Sequence, residues 1–240
     1  MFLNAAMSAA LDRIAERAAD ARRAFTPGAL PARDDVATGA PASDFTLDPL
    51  SVSAPADAYF VTGNGSGELA YTRDGAFSLS DGKLLDQRGQ AVYGFGPGGD
   101  APTELRADPV DVALGRVSDA RIDPDGSFSY GRATIEPRTG ATGRQRVVVG
   151  RLALARFPAG SKMAPDDAVE SSGPKGAAPR IGRPKDGTFE AVVPMARDRS
   201  RVDIDRSLIR LREAYLAFDA LRAAETAQLH LGKIATDLIK

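Results

Sequence analysis

Four aspartates stand directly before a glycine, and their carboxylates are the groups in this sequence best suited to acid–base chemistry. They are Asp74, Asp81, Asp125 and Asp186. Two carboxylates can act as general acid and general base when a fold brings them together. Aspartate followed by glycine is also a strong turn signal, because both residues tolerate turn conformations at little cost. Turn formation is therefore a sufficient explanation for these four aspartates.

Three of the Asp-Gly pairs are followed two positions later by phenylalanine. The tetrapeptides are DGAF at 74–77, DGSF at 125–128 and DGTF at 186–189. An aromatic residue just beyond a turn suits a strand that buries one face. The motif therefore predicts three turns, each leading into a strand of a β-rich central region.

Other segments resemble binding or catalytic motifs but lack features that those motifs need. The GNGSG segment at 63–67 lacks the full dinucleotide-loop spacing and precedes a strand-like segment, which favours a hairpin turn. The DPDGSF segment at 123–128 resembles the start of a calcium loop, but the twelfth position is Thr134 instead of a carboxylate. The single histidine, His230, lies in a helical stretch without an identifiable catalytic partner. We therefore expect no catalytic, cofactor-binding or metal site, and a protein that is not an enzyme.

The composition argues against several classes of partner. The chain has 240 residues, a formal net charge of −1 and no cysteine. The charge balance favours neither nucleic acid nor acidic lipid, and the missing thiols exclude disulfides and zinc–thiolate sites. No apolar stretch approaches the roughly 20 residues that span a bilayer, so membrane insertion is not expected. No lysine or arginine precedes Arg13, so a cleaved signal peptide is not expected either.

Helical patterns at both ends flank a β-rich middle. Apolar residues recur at helical spacing through residues 2–25, and TPG at 26–28 is a helix-stopping cluster. Short strands punctuated by glycine then predict an antiparallel sheet. The expected fold class is α+β, with the terminal helices forming a coiled-coil-like pair and a central antiparallel all-β domain. The predicted division is an N-terminal assembly helix at 1–28, an extended connector at 29–56, a central β domain at 57–190 with a long loop at 158–188, and a C-terminal assembly helix at 191–240.

The last helix carries the longest apolar stripe. Ile204, Leu208, Leu211, Tyr215 and Phe218 follow a heptad spacing, after which the stripe moves by one residue and continues through Leu231. A lone helix of this kind buries too little apolar surface to offset the cost of ordering its backbone. We therefore expect both ends to be loosely ordered in a monomer and to become firm against neighbouring subunits.

The chain resembles the bacterial flagellar rod and hook family of axial proteins. The N-terminal segment AAMSAALDRIAERAADARRAFTPG is similar to the family's first helix, and the C-terminal segment DIDRSLIRLREAYLAFDALRAAETAQ is similar to its last. The strongest resemblance is the central DAYFVTGNGSGELAYTRDGAFSLSDGKLLDQRGQAVYGF, which contains the family's Tyr-Thr-Arg-Asn/Asp-Gly-x-Phe hairpin. The family's asparagine-rich N-terminal stretch is replaced by ERAADARRA, which makes this a divergent member, most like a proximal rod protein.

The resemblance implies a structural subunit of the basal-body rod. It implies passage through the flagellar type III export apparatus without a cleaved signal, and assembly in the periplasm with itself and with other rod and hook subunits. It implies no cofactor, no nucleic acid and no membrane insertion. The implied assembly interface is Leu3, Met7, Leu11, Ile14, Leu208, Leu211, Tyr215, Phe218 and Leu231. The implied family hairpin is Tyr71, Thr72, Arg73, Asp74, Gly75 and Phe77.

Two other interpretations stay open at this point. The chain could be a family paralogue that acts as a soluble regulator or chaperone, since its N-terminal motif is altered. It could also be a β-domain ligand-binding protein or hydrolase with helical ends, which would need a concave cluster of carboxylates or aromatic rings. The sequence alone does not separate a proximal from a distal rod position.

Overall fold

A computed structural model of the chain describes residues 2–25, 29, 43–63, 68–135, 142–158, 170–171, 178–200 and 202–238. It has N- and C-terminal helices and a central antiparallel β-sheet region, which confirms the α+β fold class. The described residues divide into two compact units. The helical unit contains residues 2–25 and 202–238, and the β unit contains the described residues between 43 and 200.

The helical unit consists of two helices that pack on each other. Helix α1 spans Phe2–Arg23 and helix α3 spans Ile204–Leu238. The last turn of α1 carries Arg22 and Arg23, whose positive charges suit the carbonyl end of a helix. The buried and half-buried positions of α3 repeat at steps of three and four and include Ile204, Ser207, Leu211, Ala214, Phe218, Leu221 and Glu225.

The packed face of α3 therefore follows an uninterrupted heptad, and the predicted shift of the stripe by one residue is absent from it. The sequence pattern was misread because two of the packed positions, Ser207 and Ala214, are small. Small side chains let a neighbouring helix come close, but they do not stand out in a search for large apolar residues. Leu208 and Tyr215, which made the predicted stripe, lie beside the packed face and are about half exposed.

The β unit is a branched antiparallel sheet with two short strand pairs beside it. Its elements are β1 Ser43–Phe45, β2 Val52–Ser53, β3 Tyr59–Gly63, β4 Leu69–Thr72, β5 Ser78–Ser80, β6 Lys83–Leu85, β7 Ala91–Phe95, β8 Thr103–Glu104, α2 Pro109–Ala113, β9 Val117–Ile122, β10 Ser127–Ile135, β11 Thr142–Leu152, β12 Leu154–Arg156, β13 Glu170–Ser171, β14 Arg180–Gly182, β15 Val193–Pro194 and β16 Ala196–Asp198. Among the described residues every pair of strands is antiparallel, and the longest run of neighbouring strands is β13-β4-β3-β7-β11-β10-β9. Strand β1 pairs with β16, and β2 with β15.

One apolar cluster holds most of the core of the β unit. It contains Phe77, Phe128 and Phe189, the three phenylalanines of the Asp-Gly-x-Phe motifs, each almost fully buried. They pack in a cluster with Phe60, Leu84, Leu105, Leu152 and Leu154. The three motifs are therefore three turns that each deliver one aromatic ring to the same core.

Two segments that the sequence indicated as irregular contain strands. Within the predicted connector, residues 43–45 and 52–53 form β1 and β2, and residues 51–55 are buried. Within the predicted loop at 158–188, residues 170–171 and 180–182 form β13 and β14. These strands are two or three residues long, too short for a periodic pattern to be visible in the sequence. The TPG segment at 26–28, residues 64–67 of GNGSG and residues 30–42 of the connector lie outside the described residues. The division of the chain into four segments stays a prediction.

Candidate assembly surfaces and the central hairpin

The first Asp-Gly-x-Phe motif forms a tight, buried turn between β4 and β5. The Thr72 hydroxyl oxygen accepts a hydrogen bond from the Asp74 N–H at 2.9 Å, and the Asp74 carboxylate accepts one from the Ala76 N–H at 3.0 Å. A carboxylate that accepts the N–H two residues later mimics a backbone turn. The turn is therefore built from local side-chain contacts, as the motif predicted.

Gly75 is required at its position because another part of the backbone passes next to it. A Cβ atom on Gly75 would lie 1.8 Å from the carbonyl oxygen of Val52. The Val52 N–H in turn donates to the carbonyl oxygen of Gly75 at 2.9 Å. The glycine thus allows β2 to lie directly against the turn.

The Arg73 guanidinium lies inside the β unit instead of at its surface. It donates hydrogen bonds to the backbone carbonyls of residues 54, 55, 56 and 58 at 2.8–3.3 Å. It also forms an ion pair with the carboxylate of Asp198, and both side chains are only 6 % exposed. A guanidinium has five N–H donors in a rigid fork, so one arginine can satisfy several acceptors at once. We call this arrangement the arginine clamp and define it as Arg73, Asp198 and the carbonyls of residues 54–58.

The arginine clamp joins the hairpin to the first and last strands of the β unit. Asp198 is the last residue of β16, which pairs with β1 in the register Ser43 to Asp198. The second carboxylate oxygen of Asp198 accepts a hydrogen bond from the Ser53 hydroxyl group in β2. Ser53 and Ser43 also share a hydrogen bond of 3.0 Å. The places where the chain enters and leaves the β unit are thus fastened to one another and to the hairpin.

Two aromatic contacts hold the flanks of the hairpin. The Tyr71 ring packs edge-on against Phe157, with a centroid distance of 5.0 Å and an interplanar angle of 88°. The Phe77 ring packs edge-on against Phe60 at 5.1 Å and 80°. Edge-to-face geometry is favourable for aromatic pairs beyond the area that they bury. All six residues of the predicted family hairpin therefore lie together in one buried structure.

The pKa of Asp74 is raised from 3.8 to about 6. Burial of the carboxylate is the main cause, with smaller contributions from Asp86 and Asp198, while the Ala76 hydrogen bond and Arg197 oppose the rise. A raised carboxylate pKa can mark a functional group, but this carboxylate is buried and holds its own turn. We therefore assign it a structural role.

The other Asp-Gly aspartates lie in turns of their own. The carboxylate of Asp125 accepts from the Ser127 N–H at 3.1 Å, and that of Asp186 accepts from the Thr188 N–H at 2.8 Å. Asp81 and Gly82 both have positive φ, 49° and 75°, and connect β5 to β6 in the hairpin geometry that the pair favours. Among the four Asp-Gly pairs, positive φ at both residues occurs at this one alone.

A further buried polar cluster, which the sequence did not reveal, fastens helix α2 to strand β10. The Tyr130 hydroxyl group donates to the Asp111 carboxylate at 2.6 Å, and the Arg132 guanidinium donates to the same oxygen at 2.5 Å. The hydrogen bond from Tyr130 is the main cause that lowers the pKa of Asp111, and Arg132 adds to it. Every group in this cluster has a partner, which is typical of a structural network.

The predicted interface residues on the helices fall into two groups. Met7, Ile14, Leu211 and Phe218 are buried or half-buried, whereas Leu11, Leu208, Tyr215 and Leu231 are about half exposed or more. The side chain of Leu3 lies outside the described residues. The chain thus uses part of the predicted set for its own helix pair and leaves the rest on the surface. Whether these residues form an assembly interface stays a prediction.

Several exposed apolar residues were missed in the sequence. On α3 they are Ile209, Leu216, Leu229 and Ile234. In the β unit Phe45 and Leu47 are 84 % and 93 % exposed. Ile209 and Leu216 repeat at the same seven-residue interval as Leu208 and Tyr215, which could have indicated a second apolar face.

The described residues contain no group of three or more potential metal ligands. None of the described helices is both long enough and apolar enough to cross a bilayer.

No curated protein matches the sequence. Residues 56–130 match the family model of the flagellar hook protein FlgE/F/G D1 domain, and this range contains the central hairpin and two of the three Asp-Gly-x-Phe motifs. That family is structural, not enzymatic, and its members are axial components of the flagellum. Over these 75 of its 240 residues the chain is similar to the D1 domain of flagellar hook and rod proteins, and this similarity supports a flagellar axial structural protein.

Proposed function

We propose that the chain is a subunit of the flagellar basal-body rod, most like the proximal type, and that it assembles through its terminal helices. The observation that carries this proposal is the set of large exposed apolar side chains on α3, among them Leu208 and Tyr215 on one face and Leu231 further along the helix. Large exposed apolar patches mark surfaces that another protein covers. In an axial structure built from many subunits, the protein that covers these side chains would be a neighbouring subunit.

The central region supports a rod subunit over a hook subunit. The described residues between 43 and 200 form one compact β unit. From the family resemblance we expect hook proteins to carry extra domains in the middle of the chain and rod proteins to have a short central region. Helices that become firm only against neighbours also fit delivery through a narrow export channel, followed by folding on assembly.

By the same proposal, the partners are other rod and hook subunits, further copies of this chain and the type III export apparatus. The proposed site of assembly is the periplasmic part of the basal body. The helices provide the contacts between subunits, and the β unit stiffens the shaft. The arginine clamp keeps that unit rigid at the point where the chain enters and leaves it.

Aspartate substitutions on the exposed face of α3 test this proposal. Leu208→Asp and Tyr215→Asp place a charge where a neighbour would pack, but these side chains are about half exposed in the single chain. We expect motility to be lost and the chain to be absent from purified hook–basal bodies by mass spectrometry. Arg206→Asp, which changes a charge on an exposed position on the other side of the same helix from Leu208 and Tyr215, is the matched control and should be incorporated.

The same experiment separates the alternatives. A soluble regulator or chaperone, or a ligand-binding protein, would be absent from hook–basal bodies even in the wild type. Wild-type incorporation together with normal rods and motility in both aspartate variants would contradict assembly through this face. Far-UV circular dichroism of the dilute chain adds a second test, since complete, cooperative helix formation in a monomer would contradict coupling of helix order to assembly.

A further inference from the structure

Helix α3 extends beyond the part that α1 can cover. It has 35 residues and α1 has 22, so at least 13 residues of α3, about 20 Å of helix, have no length of α1 beside them. Every side chain described between Thr226 and Leu238 is exposed, whereas the packed positions of α3 end at Glu225. We call residues 226–238 the overhang.

The overhang carries an apolar stripe of its own. Ala227, Leu231, Ile234 and Leu238 follow each other at steps of four, three and four, so they lie on one face of the helix. Leu231 and Leu238 are 65 % and 81 % exposed. This is the spacing of a coiled-coil seam, and within the described helical unit no second helix covers it.

The helix pair also contains an open groove of about 570 Å³ between α1 and α3. Five alanines line it, and three arginines, a glutamate and a leucine complete the lining. Small side chains leave holes into which leucine or isoleucine of a further helix can fit. The alanines are Ala6, Ala9, Ala10, Ala214 and Ala217.

We propose that the overhang of one copy docks into the α1/α3 groove of a second copy. This inference rests on the proposed function, because it names the partner and the contact through which the helices assemble. The overhang presents large apolar side chains that no helix of the described unit covers, and the groove presents spaces between alanines into which such side chains can fit. The lining of the groove has more arginines than acidic residues, and Asp237 flanks the apolar stripe of the overhang.

Docking of an overhang into a groove is a heterologous contact, because the two surfaces differ. Each copy that offers its overhang keeps its own groove for the next copy. Such contacts continue into an open chain of subunits unless the rotation happens to close a ring. The geometry therefore leads to a polymer and not to a two-fold dimer.

Cysteine cross-linking tests the contact, and the absence of cysteine from the chain removes any background. Ala217→Cys and Leu231→Cys are introduced into separate copies with different tags, mixed under assembling conditions and oxidised. A disulfide needs Cβ atoms about 4 Å apart, so a mixed dimer reports direct docking. We expect at least about five times more mixed dimer than with Ala217→Cys and Leu229→Cys, since Leu229 lies off the stripe.

A chain that carries both Ala217→Cys and Leu231→Cys gives an independent readout. The two positions are about 21 Å apart along one helix, so they cannot link to each other within a copy. Head-to-tail docking predicts a ladder of cross-linked oligomers. A second chain with Ala10→Cys and Leu231→Cys leaves position 217 free for a blocking substitution, since Ala10 also lines the groove. In that chain Ala217→Leu fills the groove and should reduce the ladder. Ala223→Leu, at an exposed position, should leave the ladder unchanged.

The outcomes separate this inference from the proposed function. If polymers sediment but the ladder is absent, or if Leu231→Cys alone links overhang to overhang, the docking inference is overturned and rod assembly stands. If the chain neither polymerises nor enters hook–basal bodies, the proposed function fails and the inference fails with it. A ladder abolished by Ala217→Leu supports both.

Discussion

Replacement of Arg73 by methionine removes the centre of the arginine clamp while it keeps an apolar stem of similar length. The variant loses hydrogen bonds to four backbone carbonyls and leaves the Asp198 carboxylate buried without its cation. Removal of one partner of a buried ion pair typically costs about 3–5 kcal/mol. Since folded domains are stable by only about 5–15 kcal/mol, this loss is about a fifth or more of the stability expected for the β unit.

Urea unfolding followed by tyrosine fluorescence measures this loss in the β unit. The chain has no tryptophan and five tyrosines, and all of these except Tyr215 lie in the β unit. We expect the unfolding midpoint of Arg73→Met to fall sharply at an unchanged slope. In a thermal scan the same loss corresponds to a midpoint lower by about 6–20 °C for a domain of this size.

Arg199→Met is the matched control. Arg199 lies in the segment directly after β16 and pairs with Asp44 at 2.5 Å, but both of these side chains are exposed. Exposed ion pairs contribute little to stability, so this variant should unfold at the wild-type midpoint. Both substitutions remove one positive charge from an arginine–aspartate pair, but only Arg73 is buried and bonded to backbone carbonyls.

The double variant Arg73→Met/Asp198→Leu separates the ion pair from the carbonyl contacts. If the buried, unpaired carboxylate causes most of the loss, removal of Asp198 as well should recover part of the stability. The reasoning is refuted if Arg73→Met unfolds at the same urea concentration as Arg199→Met. It is also refuted if the double variant loses more free energy of unfolding than the two single variants lose together.

The structure also predicts the direction of the effect of four further substitutions. Asp74→Asn keeps the oxygen that accepts the hydrogen bond of the turn, but the amide cannot ionise. Because the pKa of the wild-type carboxyl group is raised to about 6 in the folded protein, the free energy of unfolding of the wild type should fall by up to about 3 kcal/mol between pH 4 and pH 6.5. The variant should lack this fall. Asp125→Asn should show the opposite pH effect. Burial alone would raise the pKa of Asp125, but hydrogen bonds from its turn and the charge of Arg151 lower it. The stability that the wild-type carboxylate contributes is therefore fully present above about pH 4 and is lost as the pH falls further, and the variant should lack this loss. Identical urea-unfolding profiles of variant and wild type against pH would contradict both predictions. Gly75→Ala should prevent the turn from closing and lower the thermal midpoint strongly, whereas Gly96→Ala, with nothing within 4 Å, should not. Gly232 lies on α3 with open space around it, so an added methyl group meets nothing. Gly232→Ala should stabilise this part of the helix by about 1 kcal/mol and increase the far-UV helical signal. No change in that signal would indicate that this stretch of α3 is not helical in solution.

The local parts of this structure could be predicted from the sequence, because their causes lie within a few residues. The Asp-Gly-x-Phe turns form through a carboxylate and an N–H two positions apart, and their phenylalanines are buried as expected. The helical ends and the antiparallel middle followed from periodicity and from the spacing of turn residues. The family resemblance rested on the same central segment that the family model matches.

The parts that could not be predicted depend on contacts between distant residues. Arg73 looks like an exposed turn residue, and its carboxylate partner lies 125 positions later in the chain. The packed face of α3 passes through Ser207 and Ala214, whose small side chains carry no apolar signal of their own. The short strands β1 and β2 exist because partners near residue 195 pair with them, and nothing in residues 43–53 alone indicates a strand.

The pairing of β1 with β16 has a consequence for how the β unit can vary. The first and last strands of the β unit lie side by side, so the segment between them begins and ends at the same place. A segment with neighbouring ends can be lengthened, shortened or exchanged for another without moving the flanking chain. Evolution can therefore change the segment between β1 and β16 while the residues on either side of it stay the same.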